Sequence, residues 1–428
     1  MASTWLVEAG AGQGTAMAAA TTQYVPLLGG LLSITTTEAV AQILIRDTYT
    51  GSNLWVRCTA NASDGTTTIR TRKGAANGAQ SVTFATTVTG IAEDTVNTDA
   101  MATGELWNYS FNNAGSSGNA NFSIASVLLQ HSGTGTFPLA FGDASPSTQG
   151  ENLVRYVPFG GADLLNATEA NTQYTFRVAA TFNSFRVYVS TNSIGANTVA
   201  KTRKNGADGG QSVTITASTT GSYEDTVNTD SIAAGDEVNG VIDSTSAKMG
   251  SLAISVMQVE AVATGRQLIA SGSVGVGQAT SYITVEGSAV SNTATEGNTQ
   301  ADARTALTIA NMYAYVSANT RAANTVVAFR KNGASAGPTV TFGSSVTGVQ
   351  EDTVNTTTVA DGDLINYSVD GTAAAGTTTF QILGVESQQG AGGTAIDGAV
   401  KGVGILAATL VPNIPITAAL QRYNYTWA

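Results

Sequence analysis

One stretch of this 428-residue chain occurs three times, with the same internal spacing in every copy. The clearest copy runs from residue 330 to residue 363, and the other two begin at Arg203 and Arg72. In each copy a basic pair precedes a Glu-Asp pair by 21 residues, and a glycine follows that glutamate by 11 residues. Repetition over this distance predicts three structural units of about 130 residues, each large enough for a hydrophobic core.

Five side chains define the repeat: an arginine, a lysine, a glutamate, an aspartate and an asparagine. They are Arg72, Lys73, Glu93, Asp94 and Asn108 in the first copy, Arg203, Lys204, Glu224, Asp225 and Asn239 in the second, and Arg330, Lys331, Glu351, Asp352 and Asn366 in the third. A further glutamate precedes the basic pair by 34 residues in every unit, at Glu38, Glu169 and Glu296. The spacing between these side chains is therefore constant across more than half of each unit. We interpret the repeated side chains as structural.

The sequence between these marks has the pattern of short β-strands separated by turns. Period-2 alternation of apolar residues predicts half-buried strands at 55–61, 185–192 and 312–319. Asn205-Gly206 and Asn332-Gly333 predict type I′ hairpins, because both central residues of that turn need positive φ. The first unit has Gly74 without a preceding asparagine, so its turn is expected to differ. Roughly eight strands per unit and no helical period predict an all-β chain of sandwich or barrel domains.

The repeat also predicts the domain boundaries. We expect domains at residues 1–131, 132–262 and 263–387, joined by connections too short to act as flexible spacers. Residues 388–428 form a Gly-rich spacer and an apolar tail that contains Tyr423, Tyr425 and Trp427. This segment is too short for a core of its own, so we expect it to dock onto the first unit or onto another chain.

Composition excludes several classes of function. Charged residues make up 11% of the chain, and the formal charge is −11. Nucleic-acid binding is not expected, because phosphate neutralisation needs clustered Lys and Arg. The single cysteine, Cys58, excludes an intrachain disulfide framework. Neither a secretory signal nor an apolar run of about 18 residues is recognisable, so no membrane insertion is predicted.

Few residues are suited to catalysis. The one histidine, His131, lacks carboxylate or cysteine neighbours in the sequence and is interpreted as a surface residue. Cys58 corresponds to Val189 and Val316 of the later units, which indicates a small core residue rather than a nucleophile. We therefore predict no catalytic, cofactor-binding or metal-binding residues, and a protein that is not an enzyme.

Three alternatives concern the repeated side chains. The carboxylates Glu224, Asp225, Asp236, Glu351, Asp352 and Asp363 could bind Ca²⁺, although aspartates that cap turns explain them without a cation and the first unit has Glu105 in place of an aspartate. The Lys, Glu and Asn of each copy could form an isopeptide bond, but the lysine stands beside a turn. Glycan binding could use Trp55, Trp107, Tyr188, Tyr313 and Tyr315, whose alternation favours packing in the core or between subunits.

The repeated string RKNG, then TVTF, then EDTVNT, then AGD resembles repeats of virion proteins from tailed bacteriophages. Those repeats are similar in layout to the trimer-forming jelly roll of the complement globular head and tumour-necrosis-factor families. The resemblance implies three tandem jelly-roll domains whose first and last strands lie side by side. A short linker could then lead one unit directly to its neighbour around a three-fold axis.

The resemblance also implies a structural role in a virion. We expect a capsid decoration (cement) protein on the outer surface of a phage head, synthesised in the host cytoplasm, with the major capsid protein or another virion protein as its partner. Its units would form a pseudo-trimer within one chain, which the short linkers favour, or a rod that assembles as a homotrimer. Two alternatives stay open: a tail or head fibre that recognises host-surface glycans, and a bacterial surface-layer or adhesin protein.

Overall fold

The structure, a computed structural model, describes residues 3–30, 34–132, 136–160, 165–245, 249–289 and 292–389. Tyr423, Tyr425 and Trp427 of the predicted docking tail lie outside these residues. The described chain folds into β-strands and three single turns of 3-10 helix, at Glu38–Ala41, Glu169–Asn171 and Glu296–Asn298. The strands form three similar units that follow one another along the chain.

Unit 1 contains the first ten strands of the described chain. They are β1 (Ser3–Met17), β2 (Thr21–Pro26), β3 (Gly29–Gly30), β4 (Ile43–Leu44), β5 (Tyr49–Asn61), β6 (Thr67–Lys73), β7 (Ala76–Phe84), β8 (Gly90–Met101), β9 (Leu106–Asn113) and β10 (Ala120–His131). Because β3 and β4 have only two residues each, eight main strands remain, in agreement with the number expected from the turn spacing.

Units 2 and 3 repeat this order. Unit 2 comprises β11 (Thr136–Gly150), β12 (Val154–Val157), β13 (Tyr174–Thr175), β14 (Ala180–Asn192), β15 (Thr198–Lys204), β16 (Ala207–Ile215), β17 (Gly221–Asp225), β18 (Asp230–Ile232), β19 (Glu237–Asp243) and β20 (Ser251–Ala263). Unit 3 comprises β21 (Arg266–Val276), β22 (Thr280–Ile283), β23 (Gly287–Ser288), β24 (Ala301–Asp302), β25 (Leu307–Asn319), β26 (Thr325–Lys331), β27 (Ala334–Phe342), β28 (Gly348–Asp352), β29 (Thr357–Val359), β30 (Leu364–Asp370) and β31 (Thr378–Gln389). Only a short turn separates β20 from β21.

Each unit is a sandwich of two antiparallel sheets. The sheet that contains the first and last strands, here called the inner sheet, has the order β1-β10-β5-β8, β11-β20-β14-β17 and β21-β31-β25-β28 in the three units. The other sheet, here called the outer sheet, has the order β2-β9-β6-β7, β12-β19-β15-β16 and β22-β30-β26-β27. The chain crosses between the sheets at most connections, which is the strand order of a jelly roll. The predicted all-β fold of three tandem jelly rolls is confirmed.

The hairpin turns follow the local sequence. Asn205 and Gly206 have φ values of 51° and 76°, and Asn332 and Gly333 have φ values of 52° and 80°. These paired positive values are those of a type I′ turn. In unit 1 only Gly74 of the two central residues has positive φ, at 56°. The expected difference between the first hairpin and the other two is therefore present.

The inner sheet is buried on both faces. Ten of the twelve residues of β10 are buried, whereas a sheet with one solvated face would bury about half of them. Equivalent residues of the last strands pack into a neighbouring unit: Ile124 of unit 1 into unit 3, Val256 of unit 2 into unit 1, and Ile382 of unit 3 into unit 2. Each unit therefore contacts both of the others.

Backbone contacts join units 1 and 3 as well. In β23, Ser288 pairs with Ala11 of β1, so that strands of two units share one sheet. The preceding Gly287 has a φ of +102°, and a Cβ atom there would lie 2.6 Å from the carbonyl oxygens of both Gly10 and Gly29. Glycine is required here, because its missing side chain permits both this φ and this close approach of backbone segments from two units.

Candidate functional site

The signature arginines fasten a loop within their own unit. Arg72 donates from Nε and Nη2 to the two carboxylate oxygens of Glu38, at 2.6 Å and 3.0 Å, and its guanidinium lies over the ring of Tyr24. The same bidentate pair and stacked ring recur as Arg203, Glu169 and Tyr156 and as Arg330, Glu296 and Tyr282. The 34-residue spacing in the sequence thus corresponds to an ion pair between the 3-10 turn and the outer sheet.

The signature glutamates lie at the boundaries between units. Glu93 of unit 1 pairs with Arg304 of unit 3, Glu224 of unit 2 with Arg46 of unit 1, and Glu351 of unit 3 with Arg177 of unit 2. These three equivalent ion pairs run around the three units in one direction, and we call them the arginine–glutamate ring.

The sequence alone did not identify the three arginines of this ring. Each of them follows the glutamate of the intra-unit pair by eight residues, as Arg46 follows Glu38. This constant spacing of eight residues is the sequence signal that could have identified the three arginines. The pairing itself joins residues far apart in the chain, so the sequence held no information on which glutamate each arginine contacts.

The signature aspartates cap the loops that follow them. Asp225 accepts hydrogen bonds from the backbone N–H groups of Val227 and Asn228 on Oδ1, and from that of Ser212 on Oδ2. Burial of the carboxylate raises its pKa, but the hydrogen bonds outweigh burial and lower the pKa of Asp225 to about 2. Asp94 and Asp352 make the same contacts. Turn capping therefore accounts for these carboxylates without a cation.

The signature lysines and asparagines do not meet. Lys204 Nζ lies 3.6 Å from Asp236 Oδ2 and donates to the carbonyl oxygen of Ser231 at 2.8 Å. Asn239 is buried and donates from Nδ2 to Thr172 Oγ1 at 2.8 Å. Lys331 and Asn366 have the corresponding partners, while Lys73 pairs with Glu105 and Asn108 donates to a backbone carbonyl. Because the signature glutamate lies at a unit boundary, the three groups of an isopeptide bond are not assembled.

His131 was expected on the surface without a carboxylate neighbour, and this prediction is wrong. The side chain is buried, with Nε2 3.0 Å from Oδ2 of Asp47 and the ring centroid 5.4 Å from that of Tyr49. Pairing of β10 with β5 places His131 opposite Tyr49 and next to the loop that carries Asp47. The neighbour arises from strand pairing, which a search for nearby residues in the sequence does not detect.

A buried carboxyl group lies beside this pair, at the boundary between units 1 and 2. Tyr49 of unit 1 donates its hydroxyl hydrogen to Oε2 of Glu260 of unit 2. Burial raises the pKa of Glu260 to about 8; the hydrogen bond from Tyr49 opposes this rise, and the charge of Asp47 adds to it. The group is therefore neutral over much of the pH range in which an ordinary glutamate is ionised.

A second buried charge cluster joins units 1 and 3. Arg266 donates from Nη1 and Nη2 to the two carboxylate oxygens of Glu286, each at 2.6 Å, and from Nη1 to the carbonyl oxygen of Leu6 at 3.0 Å. Glu8 is buried next to this pair, and burial together with the charge of Glu286 raises the pKa of Glu8 well above its usual value. Burial also raises the pKa of Glu286, but the charge of Arg266 and its hydrogen bonds oppose that rise.

The aromatic candidates for glycan binding are used for packing. Trp55 is buried against unit 3, and Tyr313 packs against Tyr174 of unit 2 with ring centroids 5.0 Å apart. Tyr188 and Tyr315 are half-buried against units 1 and 2, and Trp107 lies in the core of unit 1. These positions agree with their interpretation as core or inter-unit residues.

The thiol of Cys58 is the remaining side chain that the sequence analysis considered for chemistry. Cys58 is buried in the core of unit 1, as expected, and burial raises the pKa of its thiol to about 11. Among the described residues, no group of three or more His, Cys, Asp or Glu side chains is placed to hold a metal ion. In the same part of the chain, no helix is long and apolar enough to cross a membrane.

No family model and no curated protein matches the chain. Among solved structures, it is similar to one described as the triple jelly roll fold and turret assembly in an archaeal virus, with 13% identity, coverage of 90% of this chain and 91% of that chain, and a TM-score of 0.16. It is also similar to the arabinofuranosyltransferase AftD from mycobacteria, with 11% identity, coverage of 91% and 36%, and a TM-score of 0.17. Similarities this weak carry no argument about function.

Proposed function

We propose that this chain is a structural, non-catalytic protein of a virus particle, and that it decorates the outer surface of a bacteriophage head. The observation that carries the proposal is the arginine–glutamate ring, which links the three jelly rolls of one chain to each other in a closed cycle. One chain then serves as a pseudo-trimer: a monomer that presents three similar surfaces. The likeness of its repeat to virion proteins of tailed phages supports this role.

A pseudo-trimer suits a position of local three-fold symmetry on a capsid. Three similar surfaces contact three equivalent copies of the major capsid protein or of another virion protein at once. Once the first contact forms, the others become intramolecular, so individually weak contacts give stable attachment. Neither nucleic acid nor a membrane takes part in this proposal.

The segment that follows each signature aspartate provides a candidate contact; it is a loop between strands in units 2 and 3 and a bulge within β8 in unit 1. It exposes one valine in every unit: Val96, Val227 and Val354 are 86%, 85% and 84% exposed. The hydrogen bonds to the capping aspartate hold each loop in one conformation, so little entropy is lost when a partner covers it. A single exposed valine is ordinary, but the same exposed valine on three capped loops indicates a repeated contact.

Co-sedimentation tests this proposal. The purified chain is added to phage heads that were prepared without it, and we expect saturable binding. The triple variant V96D/V227D/V354D should bind at least about tenfold more weakly, which corresponds to about 1.4 kcal/mol. The double variant V88D/V346D is the matched control, because it places aspartates at other half-exposed valines and should bind normally.

Other outcomes would overturn the proposal. Absence of binding to heads, together with recovery of the chain in a bacterial cell-wall fraction, would favour a surface-layer protein. Attachment to host cells instead of heads would favour a fibre. Equal loss of binding in the triple variant and the control would exclude the valine loops as the contact.

A further inference from the structure

We propose that the outer sheet of unit 1 carries a binding site for a carboxylated saccharide. A groove of about 360 Å³ crosses all four strands of this sheet, and the side chains that carry the argument are Tyr24, Thr68, Arg70, Arg72, Asn77 and Asn112. This volume falls in the range of roughly 300–1,000 Å³ that is usual for small-molecule sites. The site is a separate proposal from the attachment to phage heads, because none of the exposed valines lines this groove.

The groove contains one positive charge in excess. Arg72 is neutralised by its bidentate pair with Glu38. Arg70 lies on the same face of β6, two residues away, and is half-buried. No carboxylate in the described part of the chain forms an ion pair with Arg70.

The corresponding position carries no free cation in the other two units. Strand pairing places Arg70 opposite Ser110, Lys201 opposite Val241, and Ala328 opposite Ser368, so these three residues are equivalent. In unit 2 the ammonium of Lys201 pairs with Asp208. In unit 3 the alanine provides no charge.

Carboxylates are also absent from the groove of unit 1 at positions where the other units have them. Asn77 is equivalent to Asp208, since they lie opposite Arg72 and Arg203. Asn112 is equivalent to Asp243 and Asp370. Each of them lies opposite the second residue of β6, β15 or β26, respectively, and these three strands are equivalent. Unit 1 therefore lacks a carboxylate that both other units have at the position of Asn112. At the position of Asn77 it lacks one that unit 2 has, while unit 3 has Ser335 there.

The remaining lining groups identify the class of anion. A guanidinium binds a carboxylate through two parallel hydrogen bonds. Around it, Thr68 provides a hydroxyl group, and the amides of Asn77 and Asn112 retain hydrogen-bonding capacity for the hydroxyl groups of a sugar ring. Asn77 Oδ1 also accepts from Arg72, and Asn112 Nδ2 also donates to Thr22 Oγ1. The equivalents of Thr68 in units 2 and 3 are Val199 and Val326, which could not form such bonds. A uronic acid residue, with one carboxylate and several hydroxyl groups, satisfies this set of partners.

Ligand-observed NMR titration tests this inference, with methyl β-D-glucuronide as the probe and methyl β-D-glucoside and acetate as comparisons. We expect millimolar binding of the glucuronide and at least about tenfold weaker binding of the other two. Acetate binding as tight as the glucuronide would show a simple anion site and overturn the saccharide assignment. Absence of glucuronide binding to the full chain would overturn the proposal entirely.

Two variants locate the site without threatening the fold, because other units of this chain already carry the introduced residues. Arg70→Ala introduces the residue of unit 3, and Asn77→Asp introduces the carboxylate that pairs with the cation in unit 2. Both should weaken glucuronide binding at least about tenfold. Lys201→Ala, at the equivalent position of unit 2, should have no effect. Unchanged binding in both unit 1 variants would place the saccharide elsewhere and refute the assignment.

Discussion

Arg203 and Arg177 show how differently two arginines of one unit are used. Arg203 pairs with Glu169 of its own unit, while Arg177 pairs with Glu351 of the next. Both pairs are partly exposed, so each contributes no more than about 1 kcal/mol to stability. Their main effect is on geometry: the first orients a loop on the outer sheet, and the second orients one unit against another.

Glu260 provides a prediction on pH dependence. Its pKa is raised from 4.5 to about 8, so the folded protein binds a proton between these values that the unfolded chain releases. The free energy of unfolding therefore falls as the pH rises through this window, by at most about 1.4 kcal/mol per pH unit from this group. Glu260→Gln cannot ionise and should be more stable than the natural protein at pH 8, with little difference near pH 4.

Urea unfolding at a series of pH values measures this difference. The difference between the two proteins gives the contribution of Glu260 to the pH dependence of stability. Asp47, Arg46 and His131 lie around the same boundary, but they are present in both proteins. Parallel pH profiles of the natural protein and the variant would show that the carboxyl group of Glu260 is ionised in the fold.

The strands of one unit differ according to the sheet they belong to. In β7 of the outer sheet, buried and exposed residues alternate at its end, which is the pattern of a strand with one solvated face. In β10 of the inner sheet, apolar residues point to both faces because a neighbouring unit covers the second face. Residues 122–129 are all buried, including Ser123 and Ser126, and this two-sided burial is apparent only from the arrangement of the units.

Gly287 tests the close approach of units 1 and 3. Gly287→Ala places a methyl group 2.6 Å from two carbonyl oxygens at a φ of +102°, so we expect a clear loss of stability. Gly235→Ala is the matched control, since Gly235 has a φ of +99° and open space around it. The first variant should lose at least about 1 kcal/mol more than the second, or about 1 °C in Tm for a chain of this length. Equal Tm values in a thermal unfolding experiment would show that the backbone around Gly287 can move to accommodate a methyl group at little cost in stability.

The three unit boundaries have equivalent geometry and different chemistry. At one equivalent position, unit 1 has Trp55 packed against unit 3, unit 3 has Tyr313 packed against unit 2, and unit 2 has Arg186, which donates to the carbonyl oxygen of Gln42 in unit 1. Each of these side chains therefore makes a contact that only one of the two neighbouring units provides. The units are therefore not interchangeable, and their covalent order ensures that each meets its own partner.

The mass of the particle in solution follows from these boundaries. Because the inner sheet of every unit is covered by another unit of the same chain, we expect light scattering to report a monomer of 43.4 kDa. A variant that ends at Gln389 keeps β31 intact and should have the mass of its own single chain. A homotrimer would contradict the pseudo-trimer, and a trimer that dissociates on truncation would assign the tail to contacts between chains.

Local sequence signals determined a large part of this fold. The Asn-Gly pairs specified hairpins, the alternation of Val, Tyr and Phe specified strands, and the repeat specified three units, because each signal depends on residues that are close in the chain. The register even placed Glu38 at a constant distance from Arg72, although not their contact. The turn-capping role of Asp225 was also accessible, since its partners Val227 and Asn228 lie within three residues.

Only the tertiary structure decided how the units meet. Tyr49 and Glu260 are 211 residues apart, and Arg177 and Glu351 belong to different units, so no local pattern relates them. The same reason explains the wrong prediction for His131, whose partner is supplied by strand pairing. It also explains why Arg70 appeared unremarkable: its lack of a partner is evident only when equivalent strands of three units are compared. Sequence periodicity reports which face of a strand is apolar, whereas the three-dimensional arrangement determines what covers that face.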